Sequence, residues 1–442
     1  MKKEVRKKRK LNIQKVFNLV SAMFILACCI FYGSRFLKLY IANNKTEKIV
    51  VLGDIIKENN KDNNNFQEIN DEYYFTKDTN NNYIKYSGLL WRIIKINNDK
   101  TITLVSNNSL TSLNPGNNTE YQKTYINKWL NKTNENNTGI LEKNLNNTEK
   151  YLTYTRTCKD KITNTKNITC KDKIEETYIT IPSIYDYINT GGTNGFMNNK
   201  EYFYLINTNK DNKQMYIDSS GKTNTADEEI LGIKAVITLK NNIVLKDGNG
   251  SEDNPYTFEE EESMLGSYVK LGEDIWRIYS IEDNILKLSL NDYLKINNKE
   301  IKYKYSNSSY YHNDTKEGSL AYYLNKTYLN TLSYKDIIKE RKFSNGLYSS
   351  NTNFDYTKVL TTTIDTKVSL LSIGNIFLNN KANYFISTGV TKDSNLIYVM
   401  QDDYKLYTKT STTNLRIIPV ISITKDQLVE GNGTINSPYE VK

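Results

Sequence analysis

Apolar and polar residues alternate with a period of two over much of this chain. Leu90-Trp-Arg-Ile-Ile-Lys-Ile96 is followed by a turn at Asn97-Asn-Asp-Lys100 and by Thr101-Ile-Thr-Leu-Val105, a pattern that predicts two or three paired strands. The spacing changes to three and four in Tyr125-Ile-Asn-Lys-Trp129-Leu130 and in Leu320-Ala-Tyr-Tyr-Leu-Asn-Lys-Thr-Tyr-Leu329, which predicts helices. Leu332-Ser-Tyr-Lys-Asp-Ile-Ile338 reads as a further short helix that begins at a Ser cap. Strands resume in Tyr202-Phe-Tyr-Leu-Ile206 and Leu396-Ile-Tyr-Val-Met400. The expected class is α+β, mostly antiparallel sheet with a few short helices grouped in the middle of each unit.

Self-comparison shows why such patterns come in pairs. Tyr83-Ile-Lys-Tyr-Ser-Gly-Leu-Leu-Trp91-Arg92-Ile aligns with Tyr268-Val-Lys-Leu-Gly-Glu-Asp-Ile-Trp276-Arg277-Ile. Trp129-Leu-Asn-Lys-Thr133 matches Tyr323-Leu-Asn-Lys-Thr327, and Ile181-Pro-Ser-Ile-Tyr-Asp186 matches Leu370-Leu-Ser-Ile-Gly-Asn375. Both stretches close alike: Ala235-Val-Ile-Thr-Leu239 with Gly248-Asn-Gly-Ser251 and Asn254-Pro-Tyr256, then Pro419-Val-Ile-Ser-Ile423 with Gly431-Asn-Gly-Thr434 and Ser437-Pro-Tyr439. Anchors kept in one order indicate a tandem duplication, repeat 1 over 72–258 and repeat 2 over 264–442, joined by an acidic linker at 259–263. Units that open and close on a strand are expected to pair their first and last strands.

The amino end differs from the rest. Within residues 1–15, eight Lys and Arg side chains stand against Glu4 and supply most of the chain's net charge of +9. An uncharged stretch over 16–33, about 27 Å long as a helix, is just sufficient to span hydrocarbon. The reading is a cytoplasmic basic tip (1–15), a transmembrane helix (16–33) acting as a signal-anchor in the lipid bilayer, a stalk and linker (34–71), and an extracellular body. Cleavage of the segment and lipidation of Cys28 remain as alternatives. Because the second repeat closes within three residues of the last residue, attachment is expected at the amino end alone. The body beyond the anchor is close to neutral, which argues against a nucleic-acid partner.

Composition narrows the chemistry further. There are 61 Asn and 35 Tyr but only one His and four Cys, so no His-dependent centre can recur in both repeats. His312 lies in a polar Ser-, Asn- and Asp-containing loop with no counterpart in the first repeat. Asp247-Gly-Asn-Gly-Ser251 has the start of a calcium-loop spacing but Phe258 at the twelfth position, so it reads as a Gly-rich turn and not a metal site. The two Trp-Arg pairs read as core Trp with Arg on the opposite face. Cys158 and Cys170 are a candidate disulfide in an exported stretch. No catalytic residue, cofactor site or metal site is assigned, and an enzyme is not expected. The segments 107–124 and 291–319 vary between the repeats, and Tyr303, Tyr305, Tyr310 and Tyr311 in the second are candidate ligand contacts.

The Trp-Arg-Ile opening with the closing Pro-Val-Ile and Gly-x-Gly-[Ser/Thr]…Pro-Tyr resembles a family of membrane-anchored surface proteins of low-GC Gram-positive gut bacteria. Its repeat domain is similar to C-type-lectin-like or sulfatase-modifying-factor-like folds. The first repeat departs from the pattern in carrying Ala235 where the second has Pro419. The resemblance spans about 72–442 and implies no settled activity. The expected function is an extracellular tandem binding module for a glycan, a wall polymer or a protein; the alternative is a structural or assembly component of the cell envelope.

Overall fold

The computed structural model describes residues 50–441, apart from 119, 165–167, 171–173, 262, 309–316, 349–353, 380, 392 and 393. The first repeat builds two sheets. In one, Tyr83–Tyr86 pairs with Leu89–Ile96, which continues through Ile102–Ser106 and Val236–Leu239 to Ile179–Thr180. The other runs Thr223–Thr225, Gln214–Ile217, Phe203–Thr208, Leu231–Gly232, Ser112–Leu113. The second repeat follows the same two orders: Tyr268–Leu271, Asp274–Glu282, Ile285–Leu290, Pro419–Thr424, Val368–Leu370, and then Leu406–Thr410, Leu396–Met400, Tyr384–Gly389, Asn414–Arg416, Lys302–Lys304. Irregularities recur as well, with register shifts at Ile93/Lys95 and Ile278/Ser280 and again at Tyr204/Thr208 and Phe385/Gly389. Among the described residues the neighbouring strands of these sheets pair antiparallel except for one parallel bridge in each second sheet, Phe203 to Gly232 and Tyr384 to Arg416.

The α+β assignment is corrected: 38% of the chain is strand and 15% helix, so the fold is mostly β. The helices that form are short, such as Tyr125–Leu130, and 332–338 folds as turns. There Leu332, Tyr334 and Ile338 are all buried, and the Lys339 N–H reaches the Ser422 carbonyl at 2.9 Å, so packing and a strand edge take the groups a helix would have used. No helix among the described residues is long and apolar enough to cross a membrane. Residues 16–33 lie outside the described residues.

The anchors have local physical causes. In both repeats the closing Pro-Tyr passes against the two glycines: a Cβ on Gly248 or Gly431 would stand 2.1 Å from the Pro255 or Pro438 carbonyl oxygen, and both glycines have positive φ. Tyr256 and Tyr439 then run parallel to the opening strand, donating to the Tyr83 and Tyr268 carbonyls at 3.0 and 2.8 Å. The Asn of Leu-Asn-Lys-Thr is a backbone clamp. Asn131 accepts from Ile179 N–H (3.0 Å) and donates to its carbonyl (2.7 Å), and Asn325 does the same to Val368 at 2.9 and 2.8 Å. Trp91 and Trp276 are fully buried in the core. Arg92 is not on a solvent face: it is buried, donates to Asn82 Oδ1 (2.6 Å), the Tyr83 hydroxyl (2.9 Å) and the Thr79 carbonyl (2.6 Å), and lies over the Phe196 ring.

The stalk-and-linker reading of 34–71 also changes over its described part. Leu52–Asn59 is a helix whose Leu52 and Ile56 are fully buried, with the Leu52 N–H bonded to the Ile243 carbonyl at 2.7 Å. Phe66–Ile69 and Glu72–Phe75 form a hairpin that extends the first sheet beyond Leu89–Ile96. Apolar residues in a polar stretch cover a sheet edge that would otherwise expose unpaired backbone. Val51–Lys442 forms one compact unit. In the acidic linker Glu260 is likewise held in place: it accepts from the Ser87 N–H at 3.0 Å, and burial raises its pKa.

Candidate functional site

The added hairpin makes one wall of a polar groove of about 660 Å³ on the first repeat. Its floor is the sheet face carrying Lys95, Thr103 and Thr238, where Lys95 pairs with Glu72 at 2.8 Å. The turn after Leu89–Ile96 contributes Asn97, whose amide donates to the hydroxyls of Thr101 and Thr103, both at 2.9 Å. Opposite stands the hairpin of Thr155–Cys158 and Ile174–Thr177, whose cross-strand partners Arg156 and Glu176 form an ion pair at 3.0 Å. Tyr154 leads into that hairpin with 57% of its surface exposed and its ring 4.7 Å from that of Tyr178. On the hairpin side, Tyr185 accepts from Asn70 at 2.8 Å, tying the two walls together.

Cys158 and Cys170 form a disulfide at the groove, Cα to Cα 5.7 Å. Asp160 lies beside them, but both sulfurs are consumed by the bond and offer no thiolate to a metal. In the Gly-rich turn, Asp247 and Asn249 accept from the N–H groups of Gly248 and Ser251, so their oxygens serve the turn.

Of the four candidate tyrosines, Tyr303 and Tyr305 are among the described residues. Tyr305 is a correction: it is 1% exposed, donates to the Ser387 carbonyl at 2.9 Å and packs edge-on against Phe385. The alternation of Lys302–Lys304 carries into it, and its inward parity decides its fate. Tyr303 is half-buried, stacked on Tyr323 with ring centres 4.6 Å apart. Tyr310, Tyr311 and His312 lie outside the described residues. The variable segment 107–124 is not open to a ligand near its start, because Leu110, Thr111 and Ser112 bond to the second repeat. Of the groove residues, the sequence singled out Cys158 and Cys170, as a disulfide, but not the polar lining as a binding surface. The exposed Tyr154 beside a strand with alternating charge at Arg156 was the available signal, and the opposite wall is remote in the chain.

No family model matches this chain, and no curated protein or solved structure matches it either.

Proposed function

We propose that the chain is an extracellular binding module whose first-repeat groove takes a neutral polyhydroxylated ligand, a glycan or a wall polymer. The observation that carries this reading is the lining: hydroxyls, amides and carboxylates around one exposed Tyr, with the cations already paired to Glu72 and Glu176. Alternating donors and acceptors suit sugar hydroxyls, and a Tyr ring supplies an apolar face with a polar edge. Paired charges give little attraction to a polyanion, in keeping with no nucleic-acid partner.

The extracellular, single-pass placement draws on the basic tip and the uncharged stretch of residues 1–33, and on the resemblance of the closing pattern to membrane-anchored surface proteins. The test is a glycan and wall-polymer array probed with the whole chain in detergent, repeated with Tyr154→Ala. Binding that the substitution weakens at least tenfold, about 1.4 kcal/mol, is the expected result. Absence of any ligand, or undiminished binding by the variant, overturns the groove and favours the envelope-assembly role.

A further inference from the structure

The two repeats hold each other through different surfaces. The first offers its 110–112 segment and Trp129: the Leu110 carbonyl accepts from Phe377 N–H at 2.7 Å, the Thr111 and Ser112 hydroxyls donate to the Asn375 and Tyr404 carbonyls, and Trp129 Nε1 donates to the Gly374 carbonyl at 2.8 Å. The second offers the turn at 374–377 and the loop around Tyr404. Such a head-to-tail contact does not close on itself; it leaves each repeat with the surface the other one used.

In the second repeat that leftover surface is filled from within. Leu294 stands where Leu110 stands, since their N–H groups bond to the corresponding Ile417 and Ile233 carbonyls at 2.8 and 2.9 Å. The Leu294 carbonyl accepts from Ile301 N–H at 2.9 Å, from the chain just past the small hairpin of Lys295–Ile296 and Lys299–Glu300. Tyr323 stands where Trp129 stands in the Leu-Asn-Lys-Thr anchor, and Tyr303 lies stacked on it. The segment is clamped by Glu300 to Arg416 at 2.8 Å, and Arg416 occupies the position of Gly232, where a Cβ would stand 2.4 Å from Ser109 Oγ. On the first repeat the counterpart of the 374–377 turn is the short helix Ile184–Asn189, whose Ile188, in the position of Phe377, is 44% exposed, while the carbonyls of Asp186 and Gly221 are already bonded to Thr190 and Tyr187, so this side offers an apolar contact.

We propose that segment 295–301, just ahead of the sheet strand Lys302–Lys304, is a built-in plug that ends head-to-tail stacking, and that its displacement opens a docking surface for a second copy of this chain, entered by Ile188 and its helix. The internal junction supplies the template, and the plug has the polar outer face that terminal units of a stack require: Lys295, Asn297, Asn298, Lys299 and Glu300 are exposed. This inference does not depend on the groove.

Sedimentation of the full chain in detergent tests it. The wild type is expected as one species, while a variant with 295–300 replaced by Gly-Ser associates in a concentration-dependent way, and Ile188→Asp added to that variant weakens association at least tenfold. Where the replacement fails to fold, Glu300→Lys with Tyr303→Ala loosens the plug without shortening the chain. A folded plug variant that stays at wild-type size overturns the proposal. So does association that Ile188→Asp leaves intact, or a wild type that associates as strongly as the variant.

Discussion

The two repeats solve the same packing problem with different chemistry at corresponding places. In the first, Lys234 and Glu201 form an ion pair at 3.0 Å with side chains 1% and 5% exposed. Glu201 also accepts from the Ser109 N–H and hydroxyl, at 2.8 and 2.9 Å, and Lys234 donates to the Asn107 carbonyl at 2.9 Å. Burial lowers the Lys234 pKa, against the pull of Glu201. Counting from the parallel bridges, the second repeat has Ile418 and Ala382 at those positions, and the Tyr293 hydroxyl binds the Ala382 N–H and carbonyl at 3.0 and 2.8 Å. One frame therefore tolerates a satisfied buried ion pair or an apolar contact with a phenol. What it cannot tolerate is half of either, because a lone buried charge keeps its desolvation penalty.

The junction repeats that lesson in backbone. The corresponding glycine and tyrosine, Gly221 and Tyr404, both have positive φ, 82° and 59°. A tyrosine rarely adopts this conformation, and here its ring is 2% exposed and its carbonyl accepts from Ser112 at 2.7 Å. The second repeat bears that strain at the residue that meets its neighbour, while the first keeps glycine at a position whose carbonyl accepts from its own Tyr187 at 2.7 Å.

Breaking the ion pair gives the largest difference between the repeats. Lys234→Met is expected to cost about 3–5 kcal/mol in chemical denaturation, since Glu201 is left buried and unpaired. Adding Glu201→Gln keeps an acceptor for Ser109 and recovers more than half of that loss. A cost below about 1 kcal/mol for Lys234→Met would show that the pair is not isolated from solvent as described.

The aromatic anchor sharpens the comparison next. Trp129→Ala, in the internal junction, is expected to cost about 3–5 kcal/mol, whereas Tyr323→Ala under the plug costs about 1 kcal/mol, the worth of an exposed-edge stack. Equal costs would mean that the plug buries its tyrosine as deeply as the junction buries its tryptophan.

The smallest effect is a pH dependence at the segment between the repeats. Burial raises the Glu260 pKa, so the folded chain holds that proton more tightly than the unfolded chain. Stability from this group therefore rises as pH falls through the folded pKa toward the ordinary glutamate value of about 4.3, and is lost as pH rises again. Glu260→Gln, which still accepts from Ser87, is expected to flatten that part of the profile of melting temperature against pH. An unchanged slope would remove Glu260 as its source.

Much of the frame was legible in the chain because its signals are short-range. Asn131 and Asn325 are recognisable by their Leu-Asn-Lys-Thr neighbours, and each clamps both the N–H and the carbonyl of one backbone position. The paired glycines of the closing turns announce a crossing that no side chain could enter. Alternation placed Trp91 and Trp276 inward. It put Arg92 on the opposite face without showing that this face is buried too, because a buried guanidinium is stable only with acceptors such as Asn82 and Thr79, which a local pattern does not reveal.

The groove and the junction belong to the tertiary structure alone. Asn70 and Tyr185, or Leu110 and Phe377, meet only after sheets have formed and packed, and nothing near any of them in the chain specifies the other. Local motifs determined which strands each repeat makes, since turn strain and backbone clamping act over a few residues. Which surfaces those strands present to each other was decided by shape and by the pairing of buried polar groups, and these exist only in the assembled fold.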